Sequence, residues 1–189
     1  MKPTLLTIGA DPGASGGLAL CRCVSGQKPE LLGAWLIEGS GDGGYFQAAL
    51  KAAFQLQATA GKRVDIVWVE EPRPFGKPGA AIGLARRQGL ILGALSMIAA
   101  PEATHIQPSE WWAVWGDNVR RGKDDADDGA HRRTEAMSLL TGRLGDLQRL
   151  PVDVSEAALI AGAAGLHRLG EGFTRTPAPR KPRTKKVKP

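Results

Sequence analysis

The run Thr7-Ile8-Gly9-Ala10-Asp11-Pro12-Gly13-Ala14-Ser15-Gly16-Gly17 constrains this chain more than any other. An apolar segment ends on a carboxylate, turns through proline and glycine, and enters a second apolar segment at residues 18–24. Proline removes a backbone donor and glycine admits conformations closed to other residues, so strand pairing ends here and the chain reverses. One acid is left at the end of a strand. Taken alone, Asp11 reads as a turn aspartate before Pro-Gly.

The rest of the chain supplies an order of elements around that acid. Residues 5–10, 18–24 and 31–37 read as three successive strands in an antiparallel meander, broken by the glycine-rich residues 39–44. From Tyr45 to about residue 60, Phe46, Leu50 and Phe54 recur at the spacing of one helical face. Residues 64–69 are nearly all apolar, as expected of a central strand covered on both faces, with the preceding helix as crossover. A second helix spans about residues 80–99, and its latter half is apolar nearly all round, so it should be buried or shared with a partner chain. A short fifth strand at 104–106 precedes a short helix opened by Pro108-Ser109-Glu110, which carries Trp111, Trp112 and Trp115. Helices at about 124–140 and 154–169 complete the order. This is the order of a ribonuclease H-like α/β fold, a mixed five-stranded sheet flanked by helices.

Charge divides the chain in two. Seven cations, Arg175, Arg180, Lys181, Arg183, Lys185, Lys186 and Lys188, lie in residues 174–189 with no acid among them. The formal charge of +6 therefore belongs to the tail, since the remainder carries 18 basic and 19 acidic residues. A Pro/Lys-rich segment of this kind buries too little apolar area to fold alone, and it serves either as an arm for polyanions or as a solubilising terminus. The expected organisation is one domain at 1–173 and a disordered basic tail at 174–189. No stretch approaches the ~18 apolar residues of a membrane span, and no leader pattern opens the chain, so a cytoplasmic setting is expected. Cys21 and Cys23 share one face of a strand and are expected to be free thiols.

Three further acids stand in settings that match Asp11. Glu70 closes the strand at 64–69, and Glu71 competes with it, because successive strand residues face opposite sides. Asp153 and Glu156 are spaced to share one face at the start of the last helix. They also fit a capping arrangement that complements the helix dipole. Hard divalent cations take oxygen ligands, and two such ions activate water against a phosphodiester. Four acids in this element order are a candidate set for that chemistry. His167 lies eleven residues beyond Glu156, about 16 Å along a helix, and is not a ligand of the same ion.

The sequence resembles the RuvC family of Holliday-junction resolvases, especially its shorter phage-type relatives. The resemblance covers most of residues 4–169 and rests on Ile8-Gly9-Ala10-Asp11-Pro12-Gly13, Val69-Glu70, Gln88-Gly89, and Pro151-Val152-Asp153-Val154-Ser155-Glu156-Ala157-Ala158-Leu159-Ile160-Ala161. It implies a homodimeric nuclease acting on branched DNA. Its four catalytic, metal-binding acids would be Asp11, Glu70, Asp153 and Glu156, with two Mg²⁺ per active site and Mn²⁺ as the candidate substitute. The resemblance places the family's lysine near the scissile phosphate at Lys123. It also makes Phe75 the candidate wedge of a DNA-binding loop, with Arg73 and Lys77 on phosphates; an ordinary loop aromatic packed on the core is the alternative. Arg180, Lys181, Arg183, Lys185 and Lys186 would add contacts from the tail. Two other functions stay open: a non-catalytic branched-DNA-binding protein of the same fold, and an actin-like or sugar-kinase-like phosphotransferase. The latter needs two such domains, more than 189 residues supply.

Overall fold

The computed structural model describes residues 2–13, 15–61, 63–71, 78–116, 137–142 and 150–171. Three strands open the chain: β1 (Thr4–Asp11), β2 (Gly16–Val24) and β3 (Glu30–Ile37). They pair antiparallel, as the meander required. Helix α1 (Gly41–Ala60) crosses over to β4 (Ile66–Glu70), which runs parallel to β1. Helix α2 (Pro78–Ser96), strand β5 (Ala103–Ile106) and helix α3 (Pro108–Trp115) follow, and the last helix, α4, is Val152–Arg168. The sheet order is β5-β4-β1-β2-β3, extended at the β3 edge by a two-residue strand, β6 (Thr141–Gly142).

The expected five strands are all present, and β6 is an addition. It docks on the start of β3, where the Thr141 N–H donates to the Pro29 carbonyl at 2.9 Å. A two-residue strand has no periodicity to read. Helix α1 also begins earlier than its apolar spacing suggests, taking in Gly41, Gly43 and Gly44. Glycine weakens a helix without forbidding it. For the helix expected at 124–140, residues 117–136 lie outside the described residues; at its end Met137 is helical and Leu140 is buried.

Side-chain alternation splits the core into two layers. Ile8, Ala10, Leu18, Leu20, Val67 and Val69 point towards α1 and α2. Ala19, Cys21, Cys23 and Trp68 point towards α3 and α4. Cys21 and Cys23 are free and buried beneath α4. Helix α4 lies against β1 and β2 at backbone distance, because glycines line its track. A Cβ on Gly9 would stand 2.1 Å from the Ala157 carbonyl oxygen, and one on Gly17 would stand 2.2 Å from that of Asp153. The Thr7 hydroxyl donates to the Ala161 carbonyl at 2.7 Å on the same face. The latter half of α2 is partly buried as expected through Ile91, Ala94 and Leu95, while Ile82 and Met97 are exposed. Among the described residues no helix is long and apolar enough to cross a membrane.

Candidate active site

Two strand ends and one helix start meet in one place. In β1 and β4 the parallel register pairs Ala10 with Val69, so Asp11 and Glu70 come next on adjacent strands, about 4.8 Å apart across the sheet. Thr7, Gly9 and Asp11 share the face that α4 covers, and Trp68 puts Glu70 on that face too. Glu71 is the next residue along and turns away: it is exposed, and its carboxylate accepts a hydrogen bond from the Gln107 side chain. The competition between the two glutamates is settled by register, in favour of Glu70.

Asp153 and Glu156 reach the same place because of where α4 starts. Its N-cap is Pro151, with no side-chain cap bond, so Asp153 is not the capping residue. Both acids sit in the first turns and point at the ends of β1 and β4. Gly13 makes room for one of them: a Cβ there would lie 2.7 Å from Asp153 Oδ1. Asp11, Glu70, Asp153 and Glu156 line one cleft of about 380 Å³, with Pro12, Gly13, Leu84, Pro108, Trp111 and Trp112 as its remaining walls. A larger hollow of about 660 Å³ lies between the ends of α1 and α2, but Arg63 is its one charged group among the described residues.

Among the described residues that line the cleft there is no lysine or arginine. Asp11 is 6% exposed. Burial, and then the charges of Glu156, Glu70 and Asp153, push its carboxyl up to about 9, against a backbone hydrogen bond from Gly13 that works the other way. A carboxyl raised in this way is the response of an acid that is first of all buried and then crowded by other acids. The donors are all hard oxygens, as Mg²⁺ and Ca²⁺ require. Among the described residues, however, no three His, Cys, Asp or Glu side chains close into a ready-made shell around a single point. The set suits such ions in chemistry and charge.

Around the acids stand residues that sequence reasoning did not assign. The Trp111 indole N–H donates to Glu70 Oε2 at 2.7 Å. The Gln88 side chain donates to the Glu70 carbonyl at 3.1 Å and meets His105 Nδ1 at the same distance. Arg87 lies with its guanidinium carbon 5.6 Å from the Tyr45 ring centroid and near the Gly13 carbonyl. A buried indole needs an acceptor for its one donor, and that requirement was the available signal for Trp111. His167 lies away from the acids and packs on Trp68, the ring centroids 5.4 Å apart. Arg73, Phe75, Lys77, Lys123 and the tail residues Arg180, Lys181, Arg183, Lys185 and Lys186 lie outside the described residues.

A mixed sheet in which β1 lies between β4 and the rest of a three-stranded meander, with helices on both faces, defines the ribonuclease H-like class of folds. Within that class the chain has the fold of the RuvC-type resolvases. Solved structures that match include Thermus thermophilus RuvC in complex with a Holliday junction substrate, at TM-score 0.63 and 16% identity, over 89% of this chain and 98% of that one. A second Thermus thermophilus RuvC structure matches at TM-score 0.65 and 18% identity over the same shares. The yeast mitochondrial Holliday junction resolvase Ydc2 matches at TM-score 0.54 and 14% identity, over 89% of this chain and 81% of that one. No protein-family model and no curated protein matches at the level of sequence.

Proposed function

We propose that this protein is a metal-dependent endonuclease that resolves four-way or related branched DNA, working as a homodimer in which each subunit nicks one strand. The observation that carries the reading is the meeting of Asp11, Glu70, Asp153 and Glu156 in one cleft, at the place where sheet register and the α4 start direct them. Mg²⁺ held by these four acids would supply an activated water and neutralise charge at the leaving oxygen of a phosphodiester. Asp11 stands between the other acids and is the candidate shared ligand. Glu70 and Asp153 would hold the ions together with it, and Glu156 would hold the ion on the nucleophile side. The glycine track under α4 keeps the carboxylates in position while the cleft stays open to a DNA backbone. Lys123 is the proposed source of positive charge at the scissile phosphate. Arg73, Phe75, Lys77 and the tail lysines and arginines are the proposed DNA contacts, with the tail adding affinity without sequence preference. A bacterial or phage-infected cytoplasm is the proposed setting.

A non-catalytic branched-DNA-binding protein is the second reading. Incubation with a synthetic four-way junction and Mg²⁺ separates the two. Paired nicking that is lost in Asp11→Asn, with junction binding retained, supports the nuclease; binding without cleavage by the unmodified protein supports the binding protein.

A further inference from the structure

Glu70 and Glu71 are neighbours in the chain and part company in the structure, and one short helix holds both. The Glu71 N–H donates to the Ile106 carbonyl at 2.9 Å, and its carboxylate accepts from the Gln107 side chain. Gln107 is the N-cap of α3, and its own N–H donates to Glu110 Oε2 at 2.7 Å. The start of α3 is thereby tied to the end of β4. One turn further on, Trp111 is 1% exposed and stacked on Trp112, with ring centroids 4.3 Å apart and planes at 28°. Its indole N–H reaches Glu70 Oε2 at 2.7 Å.

An indole nitrogen only donates, and a donor in the core must find an acceptor. This one finds a carboxylate of the acidic cleft rather than a backbone carbonyl. The neighbouring Trp115 is the contrast within the same helix: its N–H donates to the Leu159 carbonyl at 3.2 Å. The hydrogen bond fixes the plane of the Glu70 carboxylate, and a partner that orients a ligand in this way raises the affinity of the site it belongs to.

We infer that Trp111 is a positioning residue for metal uptake, acting through Glu70, with the Glu71–Gln107–Glu110 contacts setting α3 so that the indole meets the carboxylate. The inference rests on the metal-dependent reading of the cleft. It implies that α3, which brings no acid into the cleft, still sets the affinity of the site.

The test uses Trp111→Phe in the full chain, which keeps an aromatic ring in the core and removes the N–H. Calorimetric titration with Mn²⁺ should show binding weakened on the order of tenfold, the lower end of what losing a partner of a metal ligand costs. Junction affinity measured without divalent metal should stay within about twofold. In the unmodified protein the Trp111 indole N–H resonance, identified by its disappearance in Trp111→Phe, should move on addition of Mg²⁺. Unchanged Mn²⁺ affinity in Trp111→Phe, or a resonance that ignores Mg²⁺, overturns the inference while leaving the functional reading standing. Unmodified protein that neither takes up Mn²⁺ nor nicks a junction overturns both. Should Trp111→Phe fail to fold, Gln107→Leu, which removes the donor to Glu71 without changing charge, takes its place. It should weaken Mn²⁺ binding severalfold if α3 positions Glu70, and unaltered binding in that variant overturns the inference.

Discussion

Gly9 and Ala157 face each other across the β1–α4 interface so closely that a Cβ on Gly9 would stand 2.1 Å from the Ala157 carbonyl oxygen. The obstacle is helix backbone and cannot rotate away. Gly9→Ala should therefore cost about 3 kcal/mol or more, the upper end of overpacking penalties. It should also lift α4 and separate Asp153 and Glu156 from Asp11. Thermal denaturation checks the first effect, with a fall in Tm of roughly 6–12 °C expected for a domain of this size. Junction cleavage below the melting range checks the second.

Gly13→Ala should behave differently. The added methyl meets Asp153 Oδ1 at 2.7 Å, the end of a side chain that can swing aside. Stability should change by less than about 1 kcal/mol. Cleavage should fall on the order of 10²-fold, because a ligand carboxylate displaced by about 1 Å is enough for that loss. A melting curve and a nicking assay on the same preparation separate the two glycines.

Asp11 gives the fold a pH dependence of predictable sign. Its carboxyl is raised from 3.8 to about 9, first by burial and then by the charges of Glu156, Glu70 and Asp153. An acid whose folded value lies above its unfolded value stabilises the fold in the protonated form. That stability is complete below the unfolded value and is lost as pH rises through the folded one. Metal-free protein should accordingly lose thermal stability as pH rises from 3.8 towards 9. Asp11→Asn should flatten that loss and abolish nicking. Mg²⁺ favours the ionised carboxylate and should restore most stability at the alkaline end.

Removal of residues 174–189 should change how junction binding responds to salt. The segment carries seven of the 25 basic residues. Each phosphate neutralised contributes roughly −0.9 to the slope of log affinity against log salt, so full engagement of the tail corresponds to about six units. Binding titrations over a range of salt concentrations measure this directly. An unchanged slope would assign the tail a role other than DNA contact.

Much of the fold was legible because its signals are local. The apolar run at 64–69, the Asp11 turn and the Phe46-Leu50-Phe54 spacing each mark an element without reference to the rest of the chain. Strand β6 was not legible, since two residues carry no period, and the start of α1 was hidden by its glycines. The four acids could be named as candidates, but their alternatives could not be dismissed locally. Asp153 fitted a helix cap until the N-cap proved to be Pro151. Glu70 was preferred to Glu71 only by resemblance until β4 took its place beside β1.

By itself the sequence determined which segments alternate, where strands stop, and that the positive charge resides in the tail. These follow from side-chain period, turn chemistry and composition, which act over a few residues. Only the tertiary structure decided which carboxylates meet. Contacts between residues 11, 70, 153 and 156 depend on parallel register and on how closely α4 approaches the sheet. Closeness of approach is set by missing atoms at Gly9 and Gly17. The role of Trp111 was of the same kind, because a buried indole shows in the sequence only as an apolar residue, and its acceptor lies 41 residues away in the chain.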